Sequence, residues 1–163
     1  MPQTFRKGSI GAILDEYEIA LEDFKKTIKK ISNADLVKVV DPKTRDTNCR
    51  TIQGVLSHVV ICGYFYPLRI LQHKFPDKKF TFPKIVYLNK ISEYNKALDE
   101  MFKFNVEALS KIKEREMLQA DADKHIKTNW GSYDYEQIME HAIVHIYRHR
   151  RQIKQFLLKL NAE

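Results

Sequence analysis

Apolar residues recur at three- and four-residue steps along four long stretches of the chain, the spacing that places them on one face of an α-helix. The first stretch predicts a helix over residues 9–31. Ser9 is its N-cap, and Ile10, Ile13, Leu14, Tyr17, Leu21, Phe24, Ile28 and Ile31 face a core. Asp41-Pro42 and the polar residues up to Asn48 mark a connection to a second pattern over residues 48–73. That pattern carries Ile52, Val55, Leu56, Val59, Tyr64, Leu68 and Leu71. Pro67 lies within it and predicts a kink or break after Tyr66.

Residues 75–83 hold two prolines and read as a crossover. The third pattern spans residues 87–112, with Leu88, Ile91, Asn95, Leu98, Phe102, Asn105, Leu109 and Ile112 along a seam suited to bundle packing. Residues 113–132 are polar and read as irregular, with Trp130 plugging one end of the core. Asp134 then pairs with Gln137 as a capping box and opens a helix that runs to residue 160. The sum is one all-α domain over residues 1–163, a four-helix bundle.

Composition agrees with that reading. The 163 residues include only five Gly and five Pro, too few for a turn-rich β-sandwich. No uninterrupted apolar run approaches the roughly 20 residues of a bilayer span. Residues 1–7 lack the apolar core of a signal peptide. The expectation is a cytoplasmic protein without a membrane partner. Cys49 and Cys62 are too few for a disulfide framework and suit a reducing compartment. The net charge of +7 permits nucleic-acid binding, but the basic residues are scattered over helix surfaces rather than blocked, so no nucleic-acid partner is expected.

The chemistry lies in the fourth helix, which has two seams. Met139, Ile143, Ile146, Ile153, Leu157 and Leu160 form an apolar one. The other, Tyr135, Ile138, Ala142, His145, His149, Gln152 and Phe156, sets three polar side chains among core neighbours. Burying such groups without partners costs roughly 1–3 kcal/mol each, so something must satisfy them. His145 and His149 are four residues apart and share a helix face, a spacing at which two imidazoles reach one metal ion. The third ligand must come from another helix. His58, inside the apolar run Gly54-Val55-Leu56-Ser57-His58-Val59-Val60, is the best candidate. Alone it would read as a hydrogen-bonded core residue.

These residues resemble the DinB/YfiT superfamily. Its helix-four pattern H-x-x-x-H-R-x-Q-[IV] is matched at every specified position by His145-Ile146-Tyr147-Arg148-His149-Arg150-Arg151-Gln152-Ile153. A single histidine in the second helix, the Trp130-Gly131 approach to the fourth and the long crossover between the second and third are in character too. The resemblance implies an up-down-down-up bundle that is commonly a homodimer, with a divalent metal held by His58, His145 and His149. It also implies transferase or isomerase chemistry with a low-molecular-weight thiol. Three neutral imidazoles leave coordination positions open, as in catalytic sites. Zn²⁺, Ni²⁺ and Fe²⁺ all accept imidazole.

The reading is therefore a divalent-metal-dependent enzyme that activates water or such a thiol for hydrolysis or transfer on a small-molecule substrate. The alternative is a non-catalytic dimeric binding module with a vestigial site. Among the remaining residues, His141 reads as supporting or interfacial, and Cys62 as a small buried hydrophobe or a soft fourth ligand. Gln152 orients a substrate or makes a helix-to-helix hydrogen bond. Asn95 and Asn105 line a polar pocket or set helix register, and Tyr17 and Tyr94 are core aromatics with hydroxyls at the edge. Arg150 and Arg151 meet an anionic substrate or compensate the helix dipole. His73 and His125 read as solvated.

Overall fold

A computed structural model describes residues 5–161, so residues 1–4 of the stretch read for a targeting signal lie outside the described residues. The helices are α1 (Gly8–Ile28), α2 (Asn33–Leu36), α3 (Ile52–Lys74), α4 (Ile91–Leu109) and α5 (Tyr135–Leu160). Apart from them the described residues form three single 3₁₀ turns and one antiparallel hairpin of β1 (Ile126–Thr128) and β2 (Gly131–Tyr133). The protein is therefore mostly helical. α1 packs on α5 and α4, and α3 packs on the same two helices. The core between them holds Tyr17, Phe24, Leu56, Ile70, Leu98, Met101, Leu109, Ile146 and Ile153. Tyr17 and Tyr94 are buried to their hydroxyls, at 1% and 0% exposure, rather than reaching the edge.

The start of α1 differs from the expected cap. Lys7, not Ser9, is the N-cap, and it offers no side-chain bond. The Ser9 amide and hydroxyl instead donate to Glu114 Oε2 at 2.8 and 2.5 Å, and the Ile10 amide donates to the same oxygen at 3.2 Å. A carboxylate brought from more than 100 residues away thus satisfies the free amides at the positive end of the helix. Hydrogen bonds hold the Glu114 carboxyl below its ordinary range, the Ser9 hydroxyl first and the Ile10 and Ser9 amides with it, against a smaller opposing effect of burial.

α3 runs unbroken through Pro67, against the expected kink. A proline interrupts a helix chiefly by freeing the carbonyl four residues earlier. Here that carbonyl belongs to Gly63, and Asn105 Nδ2 of α4 donates to it at 3.0 Å while also donating to Met101 O at 2.8 Å. Asn105 is fully buried and takes the place of the missing ladder bond. Replacing it by Ala strands the Gly63 carbonyl in the core. The expected loss is about 1–3 kcal/mol in urea unfolding. The loss should shrink in a Pro67→Ala background, where residue 67 regains its N–H, and equal losses in both backgrounds would refute this role.

By length and composition α3 also matches a membrane span, with a mean hydropathy of 1.4, yet 61% of that window is buried inside the fold. Core helices meet the same test.

The segment read as irregular contains the hairpin, with Ile126 opposite Tyr133 and Thr128 opposite Gly131. Ile126 is buried. Trp130, at the hairpin tip, does not plug the core: it is 37% exposed and lies over the side of α5. The expected capping box is present, with the Gln137 amide donating to Asp134 Oδ1 at 2.8 Å and the Asp134 amide donating to Gln137 Oε1 at 3.1 Å.

Candidate metal centre

α3 and α5 each carry a polar stripe on their facing sides. On α3 it is His58, Cys62 and Tyr66, at successive four-residue steps; on α5 it is His141, His145, His149 and Gln152. His145 and His149 are 7% and 8% exposed, and His58 sits half-buried opposite them. His58 Nε2 lies 3.0 Å from His145 Nε2, and His149 Nε2 lies 3.1 Å from the same atom. The histidines placed together by the sequence reading are therefore together in space. His141 stands apart, with its ring stacked 6.4 Å from that of His145.

The protons at this meeting point can be counted. His149 Nδ1 is 2.8 Å from Gln152 Oε1, and an amide oxygen only accepts, so Nδ1 carries the proton. A neutral His149 therefore presents a bare lone pair at Nε2. If His145 Nε2 carries a proton aimed at that lone pair, it cannot also accept from His58. If it carries none, it faces the His149 lone pair unbridged. In no neutral assignment are both nitrogen–nitrogen contacts good hydrogen bonds.

Protonation does not resolve the conflict, because burial and the neighbouring imidazoles push His145 down to about 2. Burial likewise pushes His149 down to about 4, against the opposing pull of its bond to Gln152. His58 is also lowered, by burial, with Asp46 pulling the other way. All three present free-base imidazoles at neutral pH.

A cation fits this donor set. Two nitrogens bound to one zinc-like ion at about 2.0–2.1 Å each can be no more than about 4.2 Å apart, and both contacts fall inside that limit. His58, Cys62 and His145 offer ligand atoms that all lie within 4.8 Å of one another, so this group could hold a metal ion. Cys62 Sγ is 3.6 Å from His58 Nε2, which makes it a member of the cluster rather than only a small core side chain. Burial pushes its thiol up to about 11.

A second group, Asp46, Cys49 and His58, abuts the first. Asp46 Oδ2 lies 3.9 Å from His58 Nδ1 and 3.5 Å from Cys49 Sγ, while its Oδ1 takes the Asn48 amide at 3.0 Å. Asp46 was not legible in the sequence, since it sits in a connection where no periodicity applies. Cys62 and Tyr66 were legible in principle, at four and eight residues after His58.

Other polar residues find structural partners. Gln152 fixes the His149 ring and reaches Cys49 O at 3.5 Å. Arg150 pairs with Asp23 at 2.8 Å and lies over the Tyr147 ring, so it is not available to a substrate. His125, half-buried, donates from Nε2 to Gln119 O at 2.6 Å, and exposed His73 meets the Tyr135 hydroxyl at 2.9 Å. Asn95 Oδ1 is buried and has no hydrogen-bond partner among the described residues.

No protein-family model matches the chain, and no curated protein matches it.

Proposed function

We propose that this protein is a divalent-metal-dependent enzyme of the DinB/YfiT type. His58, His145 and His149 would hold Zn²⁺, Ni²⁺ or Fe²⁺, with Cys62 as an adjacent soft donor. The observation that carries the reading is the convergence of three imidazole nitrogens on one point with too few protons to bridge them.

The same reading takes α1, α3, α4 and α5 as a four-helix bundle in up-down-down-up order. Several contacts support it. The Ser9 amide meets Glu114 and the Glu136 amide donates to Met117 O, so α1 and α5 begin beside the same turn. Ser57 meets Tyr94 and Gly63 meets Asn105, which aligns α3 with α4. His73 near the end of α3 meets Tyr135 at the start of α5, as opposed helices require. The connection over residues 75–90 is then the long crossover.

In this site the chain's own residues orient and exclude. Gln152 holds His149 with its Nε2 lone pair inward, and Asp46 faces the outer nitrogen of His58, as second carboxylates commonly do for ligating histidines. A bound divalent ion would supply Lewis acidity, which makes water or a low-molecular-weight thiol nucleophilic at neutral pH. The substrate is a small molecule, and the reaction is hydrolysis or thiol transfer.

The test is elemental analysis of protein purified without a metal-affinity tag, beside His145→Ala. One divalent ion per chain, absent from the variant, is the expected result. Ion at about 100 times its Kd should also add about 2.7 kcal/mol of stability. That corresponds to a Tm rise of roughly 5–10 °C for a domain of this size. No uptake of Zn²⁺, Ni²⁺ or Fe²⁺ by the wild-type chain would end the metalloenzyme reading.

A further inference from the structure

Two polar groups beside the histidines have no hydrogen-bond or ion-pair partner among the described residues. Tyr66 is 5% exposed, and its ring lies 5.6 Å from that of His141 and 5.7 Å from that of His145. Its hydroxyl makes no hydrogen bond among the described residues, whereas the comparably buried Tyr94 hydroxyl donates to Gln53 O at 3.1 Å and takes the Leu88 amide at 3.0 Å. The Tyr66 ring is buried but its hydroxyl oxygen reaches solvent, so it is open to a ligand at this corner.

Arg148 is the second group. It is exposed and forms no ion pair among the described residues, while its neighbour Arg150 is committed to Asp23. Residues 141, 145 and 148 fall on one stripe of α5, at helical steps of four and three, so the guanidinium shares the face of His141 and His145. Its positive charge acts on Tyr66, His141, His145 and His149 alike.

Arg148 brings positive charge to this corner, and the Tyr66 hydroxyl beside the His141 and His145 rings is an uncharged donor. Asp46 stands at the outer nitrogen of His58, 3.9 Å from its Nδ1. Aromatic surface is also at hand: Trp130 stacks on His141 at 5.6 Å and keeps its outer face in solvent.

From this juxtaposition we infer that the face where α3 meets α5 takes a small molecule bearing an oxyanion, carboxylate or phosphoryl, whose anionic group is held by Arg148 and by the Tyr66 hydroxyl. Arg148 supplies charge-assisted donors and Tyr66 a single directed one, the pairing that oxyanions accept best. The inference rests on the proposed site for its place in the reaction, since it positions the substrate's anion next to the histidine cluster. The binding itself needs only the chain's own residues.

Trp130 is the sole tryptophan and stacks on a member of the corner, which makes its fluorescence the readout. Chelator-treated protein is titrated with benzoate and with inorganic phosphate, and the titrations are repeated after loading with Zn²⁺. The expected result is a saturable change in Trp130 emission with at least one of these anions in the chelator-treated protein. Binding should weaken about tenfold in Arg148→Ala and severalfold in Tyr66→Phe. Lys154→Ala, which removes an exposed charge further along the same helix, should leave it unchanged.

Arg148 is exposed and Tyr66→Phe removes one oxygen, so melting curves of both variants should stay near wild type. If neither anion gives a saturable change, the inference is overturned. It is equally overturned if Lys154→Ala weakens binding as much as Arg148→Ala, or if binding needs Zn²⁺ and ignores Arg148. Because the first arm contains no metal, failure of metal uptake and failure of anion binding are separate results.

Discussion

Between pH 6.5 and pH 5 the metal-free protein is expected to lose about 3 kcal/mol of stability through His145 and His149 alone. In the unfolded chain each imidazole titrates near its ordinary value of about 6.5. In the fold, burial first, then the neighbouring imidazoles and Arg148, push His145 down to about 2. For His149, burial outweighs the Gln152 bond and the value falls to about 4. Over the window between those values the unfolded state binds protons that the folded state refuses. Stability is therefore fully present above pH 6.5 and is lost as pH falls, at up to about 2.7 kcal/mol per unit for the two groups.

That is a large part of the about 5–15 kcal/mol that holds an ordinary domain together. Urea midpoints measured from pH 7 to pH 5, above the main carboxylate range, would read it directly. His149→Gln should flatten the slope by about half. A midpoint that does not move over this range would show that the histidines are not buried as neutral bases. Loading with Zn²⁺ should shift the acid limb to lower pH, since ion and proton compete for the same lone pairs.

Gly54→Ala is expected to be the most damaging small substitution in α3, costing about 3 kcal/mol or more. A Cβ there would lie 1.7 Å from Asn48 O and 2.8 Å from its carbonyl carbon, and both are backbone atoms. The turn at Thr47–Cys49 must move to admit it, and that turn carries Cys49 and is capped by Asp46, which faces His58. The substitution should therefore weaken metal binding as well as stability. Gly63→Ala makes the informative contrast. Its Cβ would meet the Met101 thioether at 2.4 Å, the flexible end of a side chain that can swing aside. Chemical unfolding of both variants should rank Gly54→Ala well below Gly63→Ala, and the reverse order would refute this account of the close approach.

Gly54 and Pro67 show where reading the chain alone meets its limit. Both sit in an apolar pattern that correctly announces a helix. A proline in such a pattern argues for a break, because only the freed carbonyl is visible in the sequence. The donor that takes it up, Asn105, lies 42 residues away on another helix. The seam of α4 was read with the same partial success. Leu98, Asn105 and Leu109 are buried as expected, but Tyr94 and Met101 complete the core, because α3 and α1 approach from slightly round the helix.

The histidines behave differently. His145 and His149 were legible because their spacing places both on a seam whose other members are apolar, and that relation spans a single turn. His58 is marked by its place inside the apolar run at residues 54–60, but alone that place reads as a core histidine, and only the pair on the distant helix tips it towards a ligand. Cys62 was undervalued for want of a partner in view, and Asp46 gave no periodic signal. Trp130 was misplaced, since the hairpin that carries it depends on Ile126 finding a buried position.

Features that depend on neighbours within a turn or two are written in the chain. They include the helical content, the capping box of Asp134 and Gln137, the two seams of α5 and the shared face of its histidines. Which stripe faces which is settled by the packing of the helices. That packing set His58 against His145, Asn105 against the carbonyl freed by Pro67, and Glu114 against the open amides of α1. The reason is that burial of the apolar faces brings these partners together from tens of residues apart, and that force is non-directional. It leaves no local trace in the residues that it makes meet.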